Sequence, residues 1–179
     1  MTTKIVAFAA SSSSTSINKR LVTYATQQLS NVEVEILDLN DFEMPLFSVD
    51  REKALGSPDA AQRFYKKLGE ANGLIISFAE HNGSYTAAYK NLYDWTSRID
   101  TKVFQNKPVL ALATSPGKGG GANVLAQAVK SLPHFGANVV GELSIPQFNN
   151  NFDTEAGKLT NTELDATLKQ LLETLVSQL

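Results

Sequence analysis

Short apolar runs of β type alternate with segments of helical spacing along the chain. The runs cover residues 5–9, 32–39, 73–78, 108–113 and 138–145. Several of them are apolar without a break, which is typical of strands buried on both faces of a parallel sheet. Between and after the runs, apolar residues recur every three or four positions, as at Ala61, Phe64 and Leu68. This alternation predicts an open, doubly wound α/β sheet of about five strands with helices on both faces.

The pattern alone does not give the strand order. Short five-stranded sheets of this kind commonly run 2-1-3-4-5 and bind ligands at the carboxyl ends of their strands. We therefore expect the functional site in the loops after the first, third and fourth strands. A chain of 179 residues is of ordinary single-domain length, so residues 1–179 are expected to form one domain.

Composition and charge exclude several functions. Sixteen Lys and Arg against eighteen Asp and Glu give a net charge of −2, with no basic stripe for nucleic acid or a membrane surface. The absence of cysteine excludes disulfides and thiolate sites, and His81 and His134 are too distant in sequence to suggest a metal site. The apolar N-terminal run is too short for an export signal, which predicts a cytoplasmic protein.

A run of hydroxyl side chains joins the first strand to the first helix. Residues 11–16 read Ser-Ser-Ser-Ser-Thr-Ser and are followed by Ile17 and Asn18. Hydroxyls beside free N–H groups at a helix N-terminus can hold a phosphate. A flexible serine linker or an ordinary N-cap would also explain the run. This loop has no glycine, and 117–121 lacks the Walker spacing, so neither a G-x-G-x-x-G dinucleotide site nor a P-loop is supported.

Three motifs in order resemble those of the NAD(P)H-dependent FMN reductase family, which has a flavodoxin-like fold. That family carries G-S-x-R-x-x-S-x-N, P-E-Y-N and L-K-N-x-x-D-W-x-S-R. The residues that match are Ser11, Ser16, Asn18, Glu80, Asn82, Lys90, Asn91, Asp94, Trp95, Ser97 and Arg98. The chain departs from the motifs at Ala10, Ser13, Ala79 and His81, and the missing Arg at position 13 leaves the choice between NADPH and NADH open.

The resemblance implies a flavodoxin-like three-layer sandwich with one non-covalent FMN. Its phosphate would lie among Ser11, Ser13, Ser16, Ile17 and Asn18. The ring would lie between two further sets, Ala79, Glu80, His81, Asn82 and Gly83 on one side and Ser115, Pro116, Gly117, Gly119 and Gly120 on the other. A loop imidazole without a role at His81, and a mobile glycine turn at 114–121, are the alternatives.

The resemblance also implies an enzyme that passes hydride from NADPH or NADH to FMN N5 and then to a small acceptor in a ping-pong cycle. Such chemistry requires no catalytic side chain. The acceptor could be a quinone, an azo compound, a metal ion or a free flavin. A flavodoxin-type electron carrier without nicotinamide oxidase activity is the main alternative, and a redox-inert regulatory flavoprotein is a third.

Self-association is expected from the helix over 85–98. It carries Tyr85, Tyr89, Tyr93, Trp95 and Arg98 on more than one face, and such residues are enriched in interface cores. The resemblance agrees, and we predict a homodimer, or a tetramer built from one, with this helix packed against its mate. Asp94, Trp95 and Arg98 are expected to act mainly in structure, with Asp94 and Arg98 spaced as a helix-surface pair.

Two irregular stretches at 41–56 and 146–160 complete the chain. They are rich in turn-forming residues, and their aromatics are expected to be exposed. These aromatics are Phe42, Phe47, Phe148 and Phe152. We interpret both stretches as lids or subunit contacts.

Overall fold

A computed structural model describes residues 3–179 of the chain and contains one five-stranded parallel sheet. Its strands are β1 Lys4–Ala10, β2 Glu33–Leu37, β3 Gly73–Phe78, β4 Lys107–Thr114 and β5 Ala137–Ile145. They lie in the order β2-β1-β3-β4-β5, with β1 between β2 and β3. The predicted parallel sheet and its strand order are thus confirmed.

Helices cover both faces of this sheet. They are α1 Ile17–Gln27, α2 Val49–Leu55, α3 Asp59–Glu70, α4 Ala87–Thr96, α5 Ala122–Ser131, α6 Phe148–Asn151 and α7 Thr162–Val176. Helices α1 and α7 pack on one face, and α3, α4 and α5 pack on the other. A small antiparallel hairpin of β6 Phe152–Asp153 and β7 Lys158–Leu159 precedes α7. None of the helices within 3–179 has the length and apolarity needed to cross a membrane.

The unbroken apolar runs lie in the three central strands. In β1, Ile5 and Ala7 face the helices α1 and α7, whereas Val6 and Phe8 face the opposite core, and all four are fully buried. Strands β3 and β4 are buried in the same way along almost their whole length. The edge strands β2 and β5 are only partly buried, since each has a neighbouring strand on one side alone.

The two irregular stretches differ from expectation. Phe42, Phe148 and Phe152 are buried, and the rings of Phe148 and Phe152 stack with their centroids 4.6 Å apart. The expectation that these aromatics are exposed is wrong for these three residues, because each fills one of the two cores. The first stretch also contains α2, which has no buried residue.

Helix α4 uses its aromatic residues inside its own chain. Tyr89 and Tyr93 are buried in the core, and Trp95 is 0% exposed. The expectation that the rings of Tyr89 and Tyr93 are available to a partner is therefore wrong, whereas the burial of Trp95 agrees with its expected structural role. Asp94 and Arg98 do not pair with each other: Lys90 Nζ lies 2.6 Å from Asp94 Oδ1, and Arg98 Nε donates to Glu52 of α2 at 2.8 Å.

Candidate functional site

The loops after β1, β3 and β4 meet at the carboxyl edge of the sheet and enclose a cleft of about 270 Å³. Of the predicted residues, the cleft is lined by Ser11, Ser13, Ser16, Ile17, Asn18, Ala79, Glu80, His81, Ser115 and Pro116. Asn82, Gly83, Gly117, Gly119 and Gly120 lie in the same loops but outside this lining. Thr15 and Thr114 also line the cleft and were not predicted, although Thr15 belongs to the hydroxyl run that pointed to the site.

The β1–α1 loop presents free N–H donors to the cleft. Ser16 is the N-cap of α1, and its hydroxyl accepts from the Lys19 N–H at 3.3 Å. The N–H groups of Ile17 and Asn18, in the first helical turn, have no acceptor among residues 3–179. The helix dipole adds partial positive charge at the same point. Ser16 is thus an N-cap, and the turn it caps is also a ready anion site.

Asn18 ties this loop to two neighbouring strands. Its side chain is 2% exposed, and its Oδ1 accepts from the Ser77 hydroxyl at 2.8 Å and from the Thr114 N–H at 3.1 Å. Its Nδ2 donates to the Thr114 carbonyl at 3.1 Å. The amide therefore fixes the spacing of the three loops, and only the backbone N–H of Asn18 is free for a ligand.

The β3–α4 loop contains a tight two-residue turn. His81 and Ser84 exchange backbone hydrogen bonds of 3.0 and 3.1 Å around Asn82 and Gly83. Both central residues have positive φ, 52° and 78°, which Asn-Gly adopts at little cost in a type I′ turn. Thr86, the N-cap of α4, donates from its hydroxyl to the Ala10 carbonyl at 2.9 Å and so fixes the loop beside β1. The His81 side chain is exposed.

Glu80 uses its carboxylate as a cap for another helix. Its Oε2 accepts from the Val124 N–H at 2.9 Å, and its Oε1 accepts from Asn123 Nδ2 at 3.3 Å. Helix α5 has Gly121 at its N-cap, which has no side chain to fill that role. Glu80 therefore joins the second loop to the third, a function that the sequence motif did not reveal.

The β4–α5 loop is held against the segment that follows β5. The Gly117 carbonyl accepts from the N–H groups of Gly120 and Gln147, at 3.2 and 2.9 Å. Gly120 has φ +60°, and a Cβ there would lie 2.9 Å from the backbone of Pro146. Gly117 and Gly119 are exposed, and a Cβ at Gly119 would meet nothing within 4 Å. Gly120 is required by the fold, while the exposed glycines leave the backbone open to a planar ligand.

The hydroxyl run, residues 11–16, contains no cationic side chain, and Lys19, the next basic residue, is already paired. Lys19, in the first turn of α1, forms a salt bridge with Asp38 after β2. The hydrogen bond from Lys19, with help from the Asn40 N–H, lowers the pKa of the Asp38 carboxyl. An anion in the cleft would therefore be held by N–H groups, hydroxyls and the helix dipole.

A second groove, of about 480 Å³, lies beside Ser12 on the far side of the loop. Met44 and Leu46 are part of its lining, and Asn91 and Trp95 hold the segment 44–47 in place. Asn91 Oδ1 accepts from the Phe47 N–H at 2.8 Å, and Trp95 Nε1 donates to the Pro45 carbonyl at 2.7 Å. These two residues of the third motif thus position a surface segment.

An FMN molecule fits the donor set of the main cleft. The free N–H groups at Ile17 and Asn18 suit a phosphate monoester, and the exposed residues 82–83 and 117–119, three of them glycines, suit the edge of a planar ring. A Cβ placed on Gly83 or on Gly119 would have no atom of residues 3–179 within 4 Å, apart from its chain neighbours. The space beside both glycines is therefore open to a ligand.

Comparison with known proteins shows which family the chain matches. The model of the NADPH-dependent FMN reductase family matches residues 3–150. An NAD(P)H-dependent FMN reductase of Pseudomonas aeruginosa is 29% identical over 146 residues, covering 80% of this chain and 77% of that protein. A quinone reductase of Escherichia coli K12 is 28% identical over 122 residues, covering 65% of this chain and 63% of that protein.

Among solved structures, the chain resembles FerB, a flavoenzyme NAD(P)H:(acceptor) oxidoreductase of Paracoccus denitrificans. The TM-score is 0.78 at 22% identity, and the match covers 98% of this chain and 96% of that one. This likeness shows a shared fold.

Proposed function

The chain belongs to the NADPH-dependent FMN reductase family, and from that membership we propose that it binds FMN in the cleft between the β1–α1, β3–α4 and β4–α5 loops and oxidises NADPH or NADH. The observation that carries the assignment is the pair of free N–H groups at Ile17 and Asn18, at one end of a cleft whose other loops expose their backbone. Bound FMN would supply the redox chemistry, accepting hydride from the nicotinamide and passing reducing equivalents to a second substrate.

The role proposed for the chain's own residues is to bind FMN and to orient it. Ser11, Ser13 and Ser16, with the N–H groups of the first turn of α1, would hold the phosphate. Asn18 and Glu80 would keep the three loops at a fixed spacing through their hydrogen bonds to Thr114 and Val124. No proton transfer by a side chain is required, so ligand placement is the main contribution of the protein.

A small-molecule acceptor is proposed for the second half-reaction. The Escherichia coli relative is named a quinone reductase, and a 2-hydroxy-1,4-benzoquinone reductase of a Burkholderia species is 32% identical over 124 residues. We therefore propose that quinones are among the acceptors of this chain.

Replacing Ile17 by proline tests the phosphate assignment. Proline at the first helical position removes the N–H but suits the helix, and Ser16 already has a ψ of 124°, which a residue before proline prefers. FMN affinity measured by calorimetry should fall about ten- to hundredfold, the value of one hydrogen bond to a charged group. Ile17→Val, which keeps the N–H, is the control. Equal affinities of the two variants would refute the assignment.

Stopped-flow mixing with NADPH and with NADH tests the activity itself. Anaerobic protein loaded with FMN should lose its flavin absorbance with at least one of the two. Failure of both would favour the flavodoxin-type carrier. Reduction by nicotinamide without transfer to any acceptor in a screen of quinones, azo compounds, metal ions and flavins would favour a regulatory flavoprotein.

We also propose that the protein forms a two-fold homodimer through part of the stretch 41–56, which the sequence analysis interpreted as a lid or subunit contact, and not through the rings of α4. With the α4 aromatics buried, the exposed apolar residues nearest to α4 are Leu46, Val49 and Leu55, at 65%, 57% and 57% exposure. Val49 and Leu55 lie on α2, and Leu46 lies in the segment held by α4. We call residues 46–55 the α2 surface.

A further inference from the structure

A further pocket, of about 320 Å³, lies between α1 and the β6–β7 hairpin. This volume is within the usual range for small-molecule sites. Its lining is Ser14, Thr15, Ser16, Lys19, Arg20, Thr23, Tyr24, Gln27, Phe152, Ala156 and Gly157. Thr15 and Ser16 line both this pocket and the FMN cleft, so the two sites lie side by side along one loop.

The hydroxyl run supplies more groups than the FMN cleft uses. Ser14 lines this pocket and is not part of the cleft lining. Thr23, one turn after Lys19 on α1, donates its O–H to the Lys19 carbonyl at 2.7 Å, so it can offer the pocket only an acceptor oxygen. Ser14 and Thr15 can donate to phosphate oxygens, and Thr23 can accept from a sugar hydroxyl.

Two aromatic rings form the floor of the pocket. Tyr24 and Phe152 meet edge to face with their centroids 5.9 Å apart. The Tyr24 hydroxyl donates to Asp165 Oδ1 at 2.5 Å, and burial with this contact raises the pKa of Tyr24 to about 12. Gly157, with φ +66°, has nothing within 4 Å of a Cβ placed on it, so its backbone is open on the hairpin side. The floor is therefore neutral and fixed.

Arg20 is the available positive charge at this pocket. Its Nη1 donates to the Thr154 carbonyl at 3.2 Å, and no carboxylate of residues 3–179 lies within salt-bridge distance of it. Lys19 is paired with Asp38. Asp165 is engaged with Tyr24 and Lys169, and Asp153 with the N–H groups that follow it, whereas the exposed Glu155 of the hairpin has no side-chain partner among residues 3–179. A guanidinium with free donors beside hydroxyls suits a phosphate monoester.

We propose that this pocket binds the phosphorylated adenosine end of NADPH, with Arg20 against the 2′-phosphate. The inference rests on the proposed nicotinamide oxidation. NADPH and NADH differ only in that phosphate, so the pocket makes the enzyme prefer NADPH. It supplies the cation that residues 11–16 lack.

Kinetics of the FMN-loaded protein test the assignment. Arg20→Gln should raise the KM for NADPH about tenfold or more, the effect of one charge-assisted hydrogen bond, and leave the KM for NADH and both kcat values unchanged. Arg20→Lys should restore part of the loss. Lys66→Gln, which removes one exposed charge from α3 on the opposite face of the sheet, is the control and should change neither KM. Equal effects of Arg20→Gln on the two nicotinamides, or no effect on either, would overturn the proposal.

Binding of nucleotide fragments separates this inference from the proposed function. Adenosine 2′,5′-bisphosphate should bind the FMN-loaded protein, compete with NADPH, and bind Arg20→Gln about tenfold more weakly, whereas 5′-AMP should bind weakly to both. If the protein oxidises NADH but does not bind the bisphosphate, the pocket assignment fails and the function stands. If the bisphosphate binds but neither nicotinamide is oxidised, the proposed function fails. Binding of the bisphosphate without competition with NADPH would mean a free nucleotide site and would overturn the NADPH assignment.

Discussion

At the scale of single residues, Asn18 shows how one buried amide can organise a site. It serves three partners on β3 and β4, and Ser77 and Thr114 are themselves almost fully buried. Asn18→Ala would leave these groups unpaired, so the free energy of unfolding should fall by about 2–3 kcal/mol. Urea unfolding without FMN measures this without a contribution from ligand binding. Ser13→Ala, on the exposed part of the same loop, should change stability by less than about 0.5 kcal/mol.

Glu35 on β2 gives a prediction that depends on pH. Its carboxylate lies 2.7 Å from Lys4 Nζ and 2.6 Å from Lys67 Nζ, and the hydrogen bond from Lys4, then that from Lys67, lowers its pKa. A lowered folded pKa stabilises the fold above the unfolded value of about 4.3, and this contribution is lost as the pH falls through the folded pKa.

Glu35→Gln tests the contribution of these ion pairs to stability. At pH 7 it should lower the free energy of unfolding by about 0.5–1 kcal/mol, the range for a partly exposed ion pair. The difference from the native chain should shrink as the pH is lowered below about 4.3. Urea titrations at several pH values measure it. Glu33→Gln serves as the control, because Glu33 is more exposed and lies 3.9 Å from Lys4. A difference that stays constant with pH would contradict the ion-pair explanation.

At the scale of elements, the conformation of the β4–α5 loop requires a glycine at position 120 but not at position 119. Gly120→Ala would place a Cβ against the Pro146 backbone at a φ of +60°. The loop must then shift, and we expect a loss of about 1–3 kcal/mol of stability and weaker FMN binding. Gly119→Ala has open space and should leave stability unchanged. Thermal unfolding and FMN titration compare the two, and equal behaviour would show that the loop is not fixed by its contact with Pro146.

The sequence predicted the strands and helices in which buried positions are apolar, because burial produces the apolar pattern that was used to find them. The unbroken runs in β1, β3 and β4 are apolar because both faces of those strands are covered. Helix α2 was missed because none of its residues is buried, so it has no apolar period. In the structure, Ser48 caps the start of α2 by accepting from the Arg51 N–H, and Gly56 ends the helix at φ +67°.

The loops of the site could also be predicted from the strand pattern. The hydrogen bonds that their side chains make could not. Topology brings the carboxyl ends of β1, β3 and β4 together, so the loops could be selected from the strand pattern. The residue types did not show that the carboxylate of Glu80 would cap α5, or that the side chain of Asn18 would be used inside the fold. Polar residues of this kind bond to either ligand or backbone, and three-dimensional contact decides which.

At the scale of the whole molecule, the α2 surface gives the test of self-association. Leu46, Val49 and Leu55 are large, apolar and mostly exposed, and no residue of α2 is buried within its own chain. A two-fold interface would place this surface against its own copy and remove these side chains from water. Light scattering of the FMN-loaded protein should therefore give twice the chain mass of 19.4 kDa.

Leu46→Glu combined with Val49→Glu should return that mass to a monomer, since charges buried opposite one another in a two-fold interface repel and lose hydration. Val176→Glu adds the same kind of charge at an exposed apolar residue near the end of α7 and should remain dimeric. If the native chain gives 19.4 kDa at micromolar concentration with flavin bound, the α2 surface is not an interface. If both sets of variants dissociate, the loss of the dimer is not specific to the α2 surface and the assignment of the interface to it fails. Dissociation of only the α2 variant, with the flavin retained, would place the contact at Leu46 and Val49 and show that FMN binding does not require the partner.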